Sequence, residues 1–331
     1  GGSLSTDRTV TVPAASNGDA IAGVSTTKAM TPASTAAAIA FFTQGLDLWD
    51  ADFAVVVAGG VTITSRNGSW HAPFNTLQDA VANGAHKILC TGDVGDATLP
   101  SGSSYYLFGL GADYCHVGAL TIPHNTIVRG NGRELIAISS ITYVNSASNG
   151  AVGTYPGGNG GDGEVSTVNT ELSGVFVSGS VTLPPTNGGT GGNGQDGDET
   201  NPGGSGGSGG AGGTNGQLII TDCRITGSIE CAGGSGGEPG LPRSDGGAGT
   251  GASGLGGAGG NGGSIILTRS IVQSGVVNLA AGTPGSGGSP GTPGSIVLVS
   301  STLEYLPTGP SSASTCLASI IANAFYASSF P

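Results

Sequence analysis

The chain alternates short apolar runs with turns that are rich in glycine, asparagine and proline. Between residues 54 and 144, apolar runs bounded by such turns predict β-strands rather than helices. One short helix is predicted at Asn75–Val81, because Asn83-Gly84 supplies a stop signal after it. We therefore expect an all-β fold here. Strands are predicted at Ala54–Val57, Val61–Thr64, Lys87–Thr91, Tyr105–Phe108, Ala119–Ile122, Thr126–Arg129 and Leu135–Tyr143.

Later in the chain, four apolar blocks resemble one another, and the last three share a strand, a small-residue turn and a second strand. Self-similar units of this kind predict a solenoid, in which each unit covers the apolar face of its neighbour. The last three blocks begin at unequal intervals of 47 and 31 residues, so the extra length is expected outside the repeating coil. The four blocks are Leu172–Leu183, Leu218–Ala232, Ile265–Ala280 and Ile296–Leu306.

The extra length is glycine-rich, with glycine at every third position, for example at 251, 254, 257, 260 and 263. A period of three is the repeat of a polyproline-II-type helix, which has no internal hydrogen bonds. Such helices must satisfy their backbone groups by packing side by side, and glycine permits the close approach. The alternative is a set of disordered glycine–serine linkers. We favour the packed helices, because a linker has no reason to keep glycine in register.

Composition narrows the functional classes. The chain has 66 glycines among 331 residues, 9% charged residues and a net charge of −12. An ordinary helical enzyme is disfavoured, because each interior glycine costs a helix about 0.5–1 kcal/mol. Nucleic-acid binding is disfavoured, because nine basic residues on an acidic chain provide no electrostatic footprint. No apolar stretch approaches the roughly 20 residues of a membrane span.

Two further helices are predicted outside the β regions. Ala33–Gln44 has helical composition, with Ser34 or Thr35 as the N-cap and Gly45 as the stop. Thr315–Phe325 places apolar residues on one helical stripe, and we expect it to cap the open end of the coil.

Candidate chemistry is sparse. The five cysteines, Cys90, Cys115, Cys223, Cys231 and Cys316, are odd in number and widely spread, so we expect small buried thiols. The four histidines show no metal-ligand spacing. Asp196-Gly197-Asp198-Glu199 could supply oxygens to calcium but lacks a full ligand set. We predict no metal and no cofactor.

Two stretches resemble known families. Ala20–Pro32, with the sequence AIAGVSTTKAMTP, resembles a stretch frequent in bacteriophage tail fibre proteins, where it lies near the receptor-binding tip of fibres that are usually homotrimers. Trp70–Val81, followed by Lys87–Thr91, is similar to the opening of pectin-lyase-like right-handed β-helices, where a short helix caps the coil. The glycine triplets resemble the polyglycine-II sandwich of adhesins at the tips of T-even-like phage long tail fibres.

These resemblances and the repeats together predict a right-handed parallel β-helix with polyglycine-II insertions and a short helical N-terminal segment. We divide the chain into a fibre and trimerisation segment (1–52), the start of the β-helix with its capping helix (53–149), coils alternating with glycine tracts (150–306) and a C-terminal cap (307–331). The resemblance to tail fibre proteins implies that this is a virion protein located at the tail fibre tip and assembled in the bacterial cytoplasm. Its implied partners are a bacterial surface receptor, either an outer-membrane protein or a glycan, two further copies of the chain and the rest of the fibre.

The function predicted from the sequence is an adhesin, not an enzyme, that contacts its receptor through the connectors between glycine tracts. These connectors alone bring charge, proline and bulk to a surface of small residues. The candidate receptor-binding residues are Asp198, Glu199, Thr200, Asn201, Leu241, Pro242, Arg243, Ser244 and Asp245.

Two alternatives remain open at this point. A polysaccharide depolymerase needs two carboxylates roughly 5–9.5 Å apart, and the acids considered are Asp93, Asp96, Asp113, Asp222 and Glu230. No pattern marks any two of them as a pair. An ice-binding or purely structural protein would explain flat glycine-rich surfaces, but it needs a regular threonine or alanine face.

Overall fold

The computed structural model describes residues 53–57, 68, 72–109, 115–123, 125–144, 148–154, 158–164, 169–193, 205–242, 252–310, 314–322 and 324–326. The predicted helix Ala33–Gln44, the predicted strand Val61–Thr64 and the tail-fibre-like stretch Ala20–Pro32 lie outside these residues. Residues 54–331 belong to one unit of the fold.

The described residues form an all-β fold in which nearly all strand pairs are parallel and belong to one 20-stranded sheet that winds as a solenoid. One helix, α1 (Leu77–Ala82), precedes β2; no helix among these residues has the length and hydrophobicity needed to cross a bilayer. The strands are β1 (Phe53–Val57), β2 (Lys87–Thr98), β3 (Ser104–Gly109), β4 (Cys115–Pro123), β5 (Ile127–Gly130), β6 (Ile136–Val144), β7 (Asn169–Ser173), β8 (Phe176–Val177), β9 (Val181–Thr182), β10 (Gln217–Thr221), β11 (Arg224–Ile225), β12 (Ile229–Glu230), β13 (Ser264–Thr268), β14 (Ile271–Val272), β15 (Val277–Asn278), β16 (Ser295–Val299), β17 (Thr302–Leu303), β18 (Thr315–Leu317), β19 (Ser319–Ile321) and β20 (Ala324–Tyr326).

Three parallel ladders run along the solenoid. The first joins β2, β3, β5, β7, β10, β13, β16 and β18. The second joins the other end of β2 to β4, β6, β8, β11, β14, β17 and β19. The third joins β6, β9, β12 and β15. β2 and β6 are long enough to contribute to two ladders each.

The core is a set of apolar columns inside the coil. Along the first ladder, strands such as β10 and β13 alternate half-buried and buried residues, which is the period-two pattern of a sheet with one covered face. Leu172, Ile220, Leu267 and Leu298 stack in register down one such column and are fully buried. Each coil thus covers the apolar side chains of the next, as predicted for a solenoid.

Helix α1 confirms the predicted helix within a residue or two. Thr76 is its N-cap, and the Thr76 Oγ1 accepts a hydrogen bond from the Asp79 N–H at 3.1 Å. Leu77, Ala80 and Val81 are buried against the start of the solenoid. The helix ends at Asn83 and Gly84, and Gly84 has a positive φ.

A buried hydroxyl column supports the turns between the first and second ladders. The outer turn residues Asp222, Arg269 and Ser300 have positive φ values of 54°, 48° and 49°. The residue after each points inward. The Cys223 N–H donates to Ser270 Oγ, the Ser270 N–H to Ser301 Oγ and the Ser301 N–H to Ser319 Oγ, at 3.1–3.2 Å. The three serines are at most 1% exposed, so each hydroxyl satisfies a backbone group that water does not reach.

Removing one hydroxyl from this column is expected to destabilise the protein. Ser301 Oγ also donates to the carbonyls of Leu267 and Val299, so Ser301→Ala leaves buried groups unpaired and should cost about 1–3 kcal/mol in urea unfolding. Ser300→Gly is the matched control, because glycine accepts the positive φ at that position. Equal stability of the Ser301→Ala variant and the native protein would show that the column is dispensable.

The interval between equivalent turns shows where the extra chain lies. Ser301 and Ser319 are 18 residues apart with no glycine tract between them. Ser270 and Ser301 are 31 residues apart, and Cys223 and Ser270 are 47 residues apart. The tracts leave the coil after the third ladder and return at the first, so coils stay in register although the repeat length varies.

The tracts form what we call the glycine bundle, which consists of eight segments at residues 148–154, 158–164, 185–193, 205–216, 231–242, 252–263, 279–285 and 286–294. Odd-numbered segments bond to one another in one layer, as in Gly150 N–H to the Asn187 carbonyl and Gly188 N–H to the Ser235 carbonyl. Even-numbered segments form a second layer, as in Gly209 N–H to the Leu255 carbonyl. The register makes segments parallel within a layer.

Most triplets read Gly-Gly-X, as in Gly236-Gly237-Glu238, and we call X the third position. Hydrogen bonds between the two layers join antiparallel segments and use the second glycine of the triplet. The Gly237 N–H donates to the Gly210 carbonyl at 2.7 Å, and the Gly257 N–H donates to the Gly237 carbonyl at 2.8 Å. A Cβ on Gly237 would overlap the Gly189 carbonyl, and one on Gly257 would overlap that of Gly210. Glycine is needed at these positions because neighbouring backbones lie where a side chain would be.

Third-position residues of the triplets are held by side chains from the adjacent segment. Their N–H groups point away from the other layer, and in several cases a side-chain oxygen accepts the hydrogen bond. Asn149 Oδ1 accepts from the Asn187 N–H, and Asn187 Oδ1 accepts from the Ser235 N–H, both at 2.8 Å. On the other layer, Asp162 Oδ1 accepts from the Ala211 N–H at 2.7 Å. Asparagine and aspartate side chains thus bind backbone N–H groups that the bonds between glycine N–H groups and carbonyls do not use.

The prediction of a C-terminal helix at Thr315–Phe325 is wrong. β18 (Thr315–Leu317) and β19 (Ser319–Ile321) continue the first and second ladders, and β20 (Ala324–Tyr326) pairs antiparallel with β19. Ala318 and Ala322 have positive φ values, which a helix does not allow. The open edges of β16 and β17 provide hydrogen-bonding partners for this segment. Strand pairing with these edges outweighs the local preference for a helix.

The prediction that all five cysteines are free thiols is wrong for two of them. Cys90 in β2 and Cys115 at the start of β4 form a disulfide inside the coil. Cys223, Cys231 and Cys316 are buried free thiols, as predicted. Burial raises the pKa of Cys223 and of Cys231 to about 12, so neither is a reactive thiolate near neutral pH.

The number of cysteines that react with an alkylating reagent tests the assignment of one disulfide and three buried thiols. The native protein should take up no iodoacetamide at pH 8, the denatured protein three equivalents and the denatured, reduced protein five, measured by intact mass. Five equivalents without a reductant would contradict the disulfide.

Candidate functional site

The predicted receptor-binding residues are only partly described. Leu241 and Pro242 lie at the end of the fifth segment. Leu241 is 67% exposed, and its N–H donates to Asn193 Oδ1 at 3.1 Å, so its backbone is fixed while its side chain faces solvent. Asp198, Glu199, Thr200, Asn201, Arg243, Ser244 and Asp245 lie outside the described residues.

Leu255, which the sequence reasoning missed, is a second exposed leucine close to the same connector, in the other layer of the bundle. It lies near the start of the sixth segment, so that residues 243–251 separate it from Leu241 in the sequence. Its side chain is 66% exposed. Its carbonyl accepts from the Gly209 N–H at 2.8 Å. The signal was available, because a leucine at the third position of a glycine triplet has no neighbouring side chain large enough to cover it.

The bundle positions these leucines on a stiff support. Each segment is bonded to its neighbours along the layer and across to the other layer, as the Gly237 N–H and carbonyl illustrate. The remaining third positions of the fifth and sixth segments are Ala232, Ser235, Glu238, Ala252, Ala258 and Asn261. Among the described residues of the bundle, three large apolar side chains are about two-thirds exposed and could contact a partner: Leu241, Leu255 and Val152 of the first segment, which is 69% exposed.

The acids considered for glycan hydrolysis are engaged in structural contacts. Arg269 donates to both carboxylate oxygens of Asp222, at 2.6 and 2.7 Å, and these hydrogen bonds lower the pKa of Asp222. Glu230 accepts from Asn278 Nδ2 at 2.8 Å, and Asp96 accepts from the Ala119 N–H at 2.7 Å. Asp113 lies outside the described residues. The bonds of Asp222, Glu230 and Asp96 join adjacent coils, which gives these acids a role in holding the coils together.

One arrangement that no sequence spacing suggested combines Asp93, His116 and Ser139. His116 Nε2 lies 3.2 Å from Ser139 Oγ, and His116 Nδ1 lies 3.7 Å from Asp93 Oδ1. The order matches an acid, a base and a nucleophile, but the side chains of His116 and Asp93 are 44% and 73% exposed. Catalysis by such groups draws on a water-excluded oxyanion site. On this open face we interpret the three residues as a surface cluster, in which His116 and Ser139 are hydrogen-bonded and Asp93 lies beyond hydrogen-bond distance of His116.

Within the described ranges, no three histidine, cysteine, aspartate or glutamate side chains come together in a geometry that could hold a metal ion. Comparison of the chain with protein-family models, with curated proteins and with solved structures gave no match.

Proposed function

We propose that the glycine bundle is a two-layer sandwich of polyglycine-II helices carried by a right-handed β-helix. The period of three, the absence of strand or helix assignments in the segments and the lateral hydrogen bonds all support this conformation. Right-handedness follows from the general rule that parallel strands in one sheet are connected by right-handed crossovers in ≈ 98% of cases.

The function that this architecture supports best is a bacteriophage tail fibre adhesin that binds a bacterial surface receptor through the tips of the sandwich. The observation that carries the proposal is the pair of exposed leucines, Leu241 and Leu255, on either side of a tip connector. Leu241 lies about ten residues beyond the coil, roughly 30 Å at ~3.1 Å per residue. The sandwich would thus present its connectors well away from the coil.

Rigid presentation is the physical advantage of this design. Connectors anchored at both ends on hydrogen-bonded segments lose less conformational entropy on binding than free loops do. Binding residues are commonly placed on loops held by a stiff scaffold for the same reason. The receptor would be an outer-membrane protein or a glycan. Residues 1–52 would join three copies of the chain and connect them to the rest of the fibre on the virion.

The test is binding of fluorescently labelled protein to a panel of Gram-negative strains, measured by flow cytometry. We expect the native protein to label a subset of strains. The double variant Leu241→Ser with Leu255→Ser should lose at least about tenfold in affinity without a change in melting temperature. The matched control is Leu306→Ser with Leu317→Ser, which removes two leucines that are 54% and 55% exposed on the solenoid.

A second variant replaces residues 198–201 and 243–245 by glycine and serine, and it should also abolish labelling. The adhesin proposal fails if no strain is labelled by the native protein. The assignment to the tips fails if both tip variants label cells as the native protein does.

A further inference from the structure

A cleft of about 290 Å³ opens on the outer face of the second ladder, and its lining residues do not belong to the glycine bundle. Its floor is Ala137, which is in register with the larger His116 on one side and Phe176 on the other. The small side chain between two large ones creates the depression. Its lining residues are Arg133, Glu134, Ile136, Ala137, Phe176 and Arg224.

We infer that this cleft is a binding site for a carboxylate-bearing sugar unit, such as a uronic acid residue of a bacterial surface glycan. That the sugar comes from a bacterial surface rests on the adhesin proposal. The match between the cleft and an acidic sugar does not depend on it. The volume lies just below the ~300–1,000 Å³ range of pockets for drug-sized ligands. It therefore fits one small unit rather than a long chain.

The charge at the cleft is unusual for this protein. The described residues include five lysine and arginine side chains in a chain of net charge −12, and Arg133 and Arg224 both line this cleft. Arg129 and Arg269 are neutralised by Glu171 and Asp222. Within the part of the chain that the structure describes, no salt bridge joins Arg133 or Arg224 to a carboxylate, although the charge of Arg133 acts at longer range on Asp222. Guanidinium groups of this kind match a carboxylate through two parallel hydrogen bonds.

Arg224 is already held in place for such contact. Its guanidinium carbon lies 5.5 Å from the centre of the Phe176 ring, and its Nε donates to Gln273 Oε1 at 2.9 Å. These two contacts restrict the side chain while leaving the terminal nitrogens of the guanidinium for a ligand. Ordering the arginine before binding reduces the entropy lost when the complex forms.

The remaining lining residues suit the other parts of a sugar. The half-buried Phe176 offers apolar surface for the C–H groups of a sugar ring, and the exposed Glu134 carboxylate can accept hydrogen bonds from sugar hydroxyls. Glu134 disfavours a small inorganic anion, because its carboxylate repels a charge that is spread over all of the anion's oxygens, whereas a sugar carries neutral hydroxyls away from its own carboxylate. The combination therefore favours an acidic sugar over a bare anion such as phosphate.

The experiment is isothermal titration of the full chain with glucuronate, with glucose as the neutral control and inorganic phosphate as the charge-only control. We expect saturable binding of glucuronate, at least about tenfold tighter than that of either control. Arg224→Gln should weaken glucuronate binding by about tenfold or more. Ala137→Leu, which fills the floor and keeps both charges, should abolish it. Arg129→Gln is the matched control, since it removes an arginine from the first ladder and should leave binding unchanged.

Equal binding of glucuronate and phosphate, or unchanged binding by Ala137→Leu, would overturn the assignment. The strain-labelling assay separates this proposal from the adhesin proposal. Absent glucuronate binding by a protein that still labels bacteria refutes only the cleft. Glucuronate binding by a protein that labels no strain refutes only the adhesin function.

Discussion

Gly237→Ala is expected to lower the melting temperature by roughly 5–10 °C, corresponding to an overpacking cost of about 3 kcal/mol. Gly237 lies inside the glycine bundle, where its N–H donates to the Gly210 carbonyl and its own carbonyl accepts from the Gly257 N–H. A methyl group there would overlap the Gly189 carbonyl. Backbone cannot move aside as a flexible side chain does, so the segments must separate and lose their shared hydrogen bonds.

Ser235→Ala is the matched control for this substitution. Ser235 lies two positions earlier in the same segment, at a third position whose side chain contacts Thr283 Oγ1 on the exposed surface. Its backbone bonds survive the change, so the melting temperature should stay within about 1 °C of the native value. Melting is followed by circular dichroism. Equal melting temperatures for Gly237→Ala and Ser235→Ala would mean that the segments are not packed together.

A triple variant, Pro284→Gly, Pro290→Gly and Pro293→Gly, is expected to associate head to tail at high concentration. In every earlier segment, at least one residue after a third-position residue donates its N–H to the next segment of the same layer, as Gly236 does to Thr283 and Gly259 to Ser289. In the last two segments, three of the equivalent positions are these prolines, which have no N–H. Proline thus removes the donors that a further segment or a second molecule could use.

Restoring the donors exposes an edge that complements the opposite edge of the bundle. At that edge, the carbonyls of Asn149 and Val152 occupy the position of acceptors in later segments. Such an edge-to-edge contact is heterologous and does not close, so it extends into open assemblies. Light scattering after size-exclusion chromatography should show a mass that grows with concentration. The control, Thr283→Gly with Ser289→Gly and Thr292→Gly, adds glycine without adding edge donors. Identical masses for the two variants would refute the role of the prolines.

Much of the solenoid could be predicted from the sequence, because its signals are local. Apolar runs such as Tyr105–Phe108 are bounded by turn residues, and the predicted runs that fall on described residues lie inside observed strands, here Ser104–Gly109, or begin one residue before them. The blocks beginning at Leu218 and Ile265 were aligned correctly, since Leu218 is the register partner of Ile265. A repeated pattern also identifies its own register, so long-range pairing followed from comparing the sequence with itself.

The errors arose where the structure depends on contacts distant in sequence. The C-terminal segment has a helical pattern, but the open edges of β16 and β17 recruit it as strands. The Cys90–Cys115 disulfide has no spacing signature, and it became visible only once β2 and β4 were placed on adjacent coils. The prolines at the bundle edge carry meaning only when the order of segments is known.

The candidate binding surfaces were predictable to different degrees. Leu241 was found from the interruption of the glycine register, and Leu255 could have been found in the same way. The cleft could not, because its lining residues Ala137, Phe176 and Arg224 come from three successive coils. Only the strand register brings Ala137, Phe176 and Arg224 side by side.

Amide hydrogen exchange of the glycine segments tests the central claim most directly, namely that these tracts are an ordered hydrogen-bonded scaffold. We predict that the N–H groups of Gly210, Gly237 and Gly257 exchange as slowly as those of Ile220 and Leu267 in the strands, because all five lie in continuous bonded networks. Exchange of these glycines at the rate of an unstructured peptide, with the strands still protected, would contradict the account.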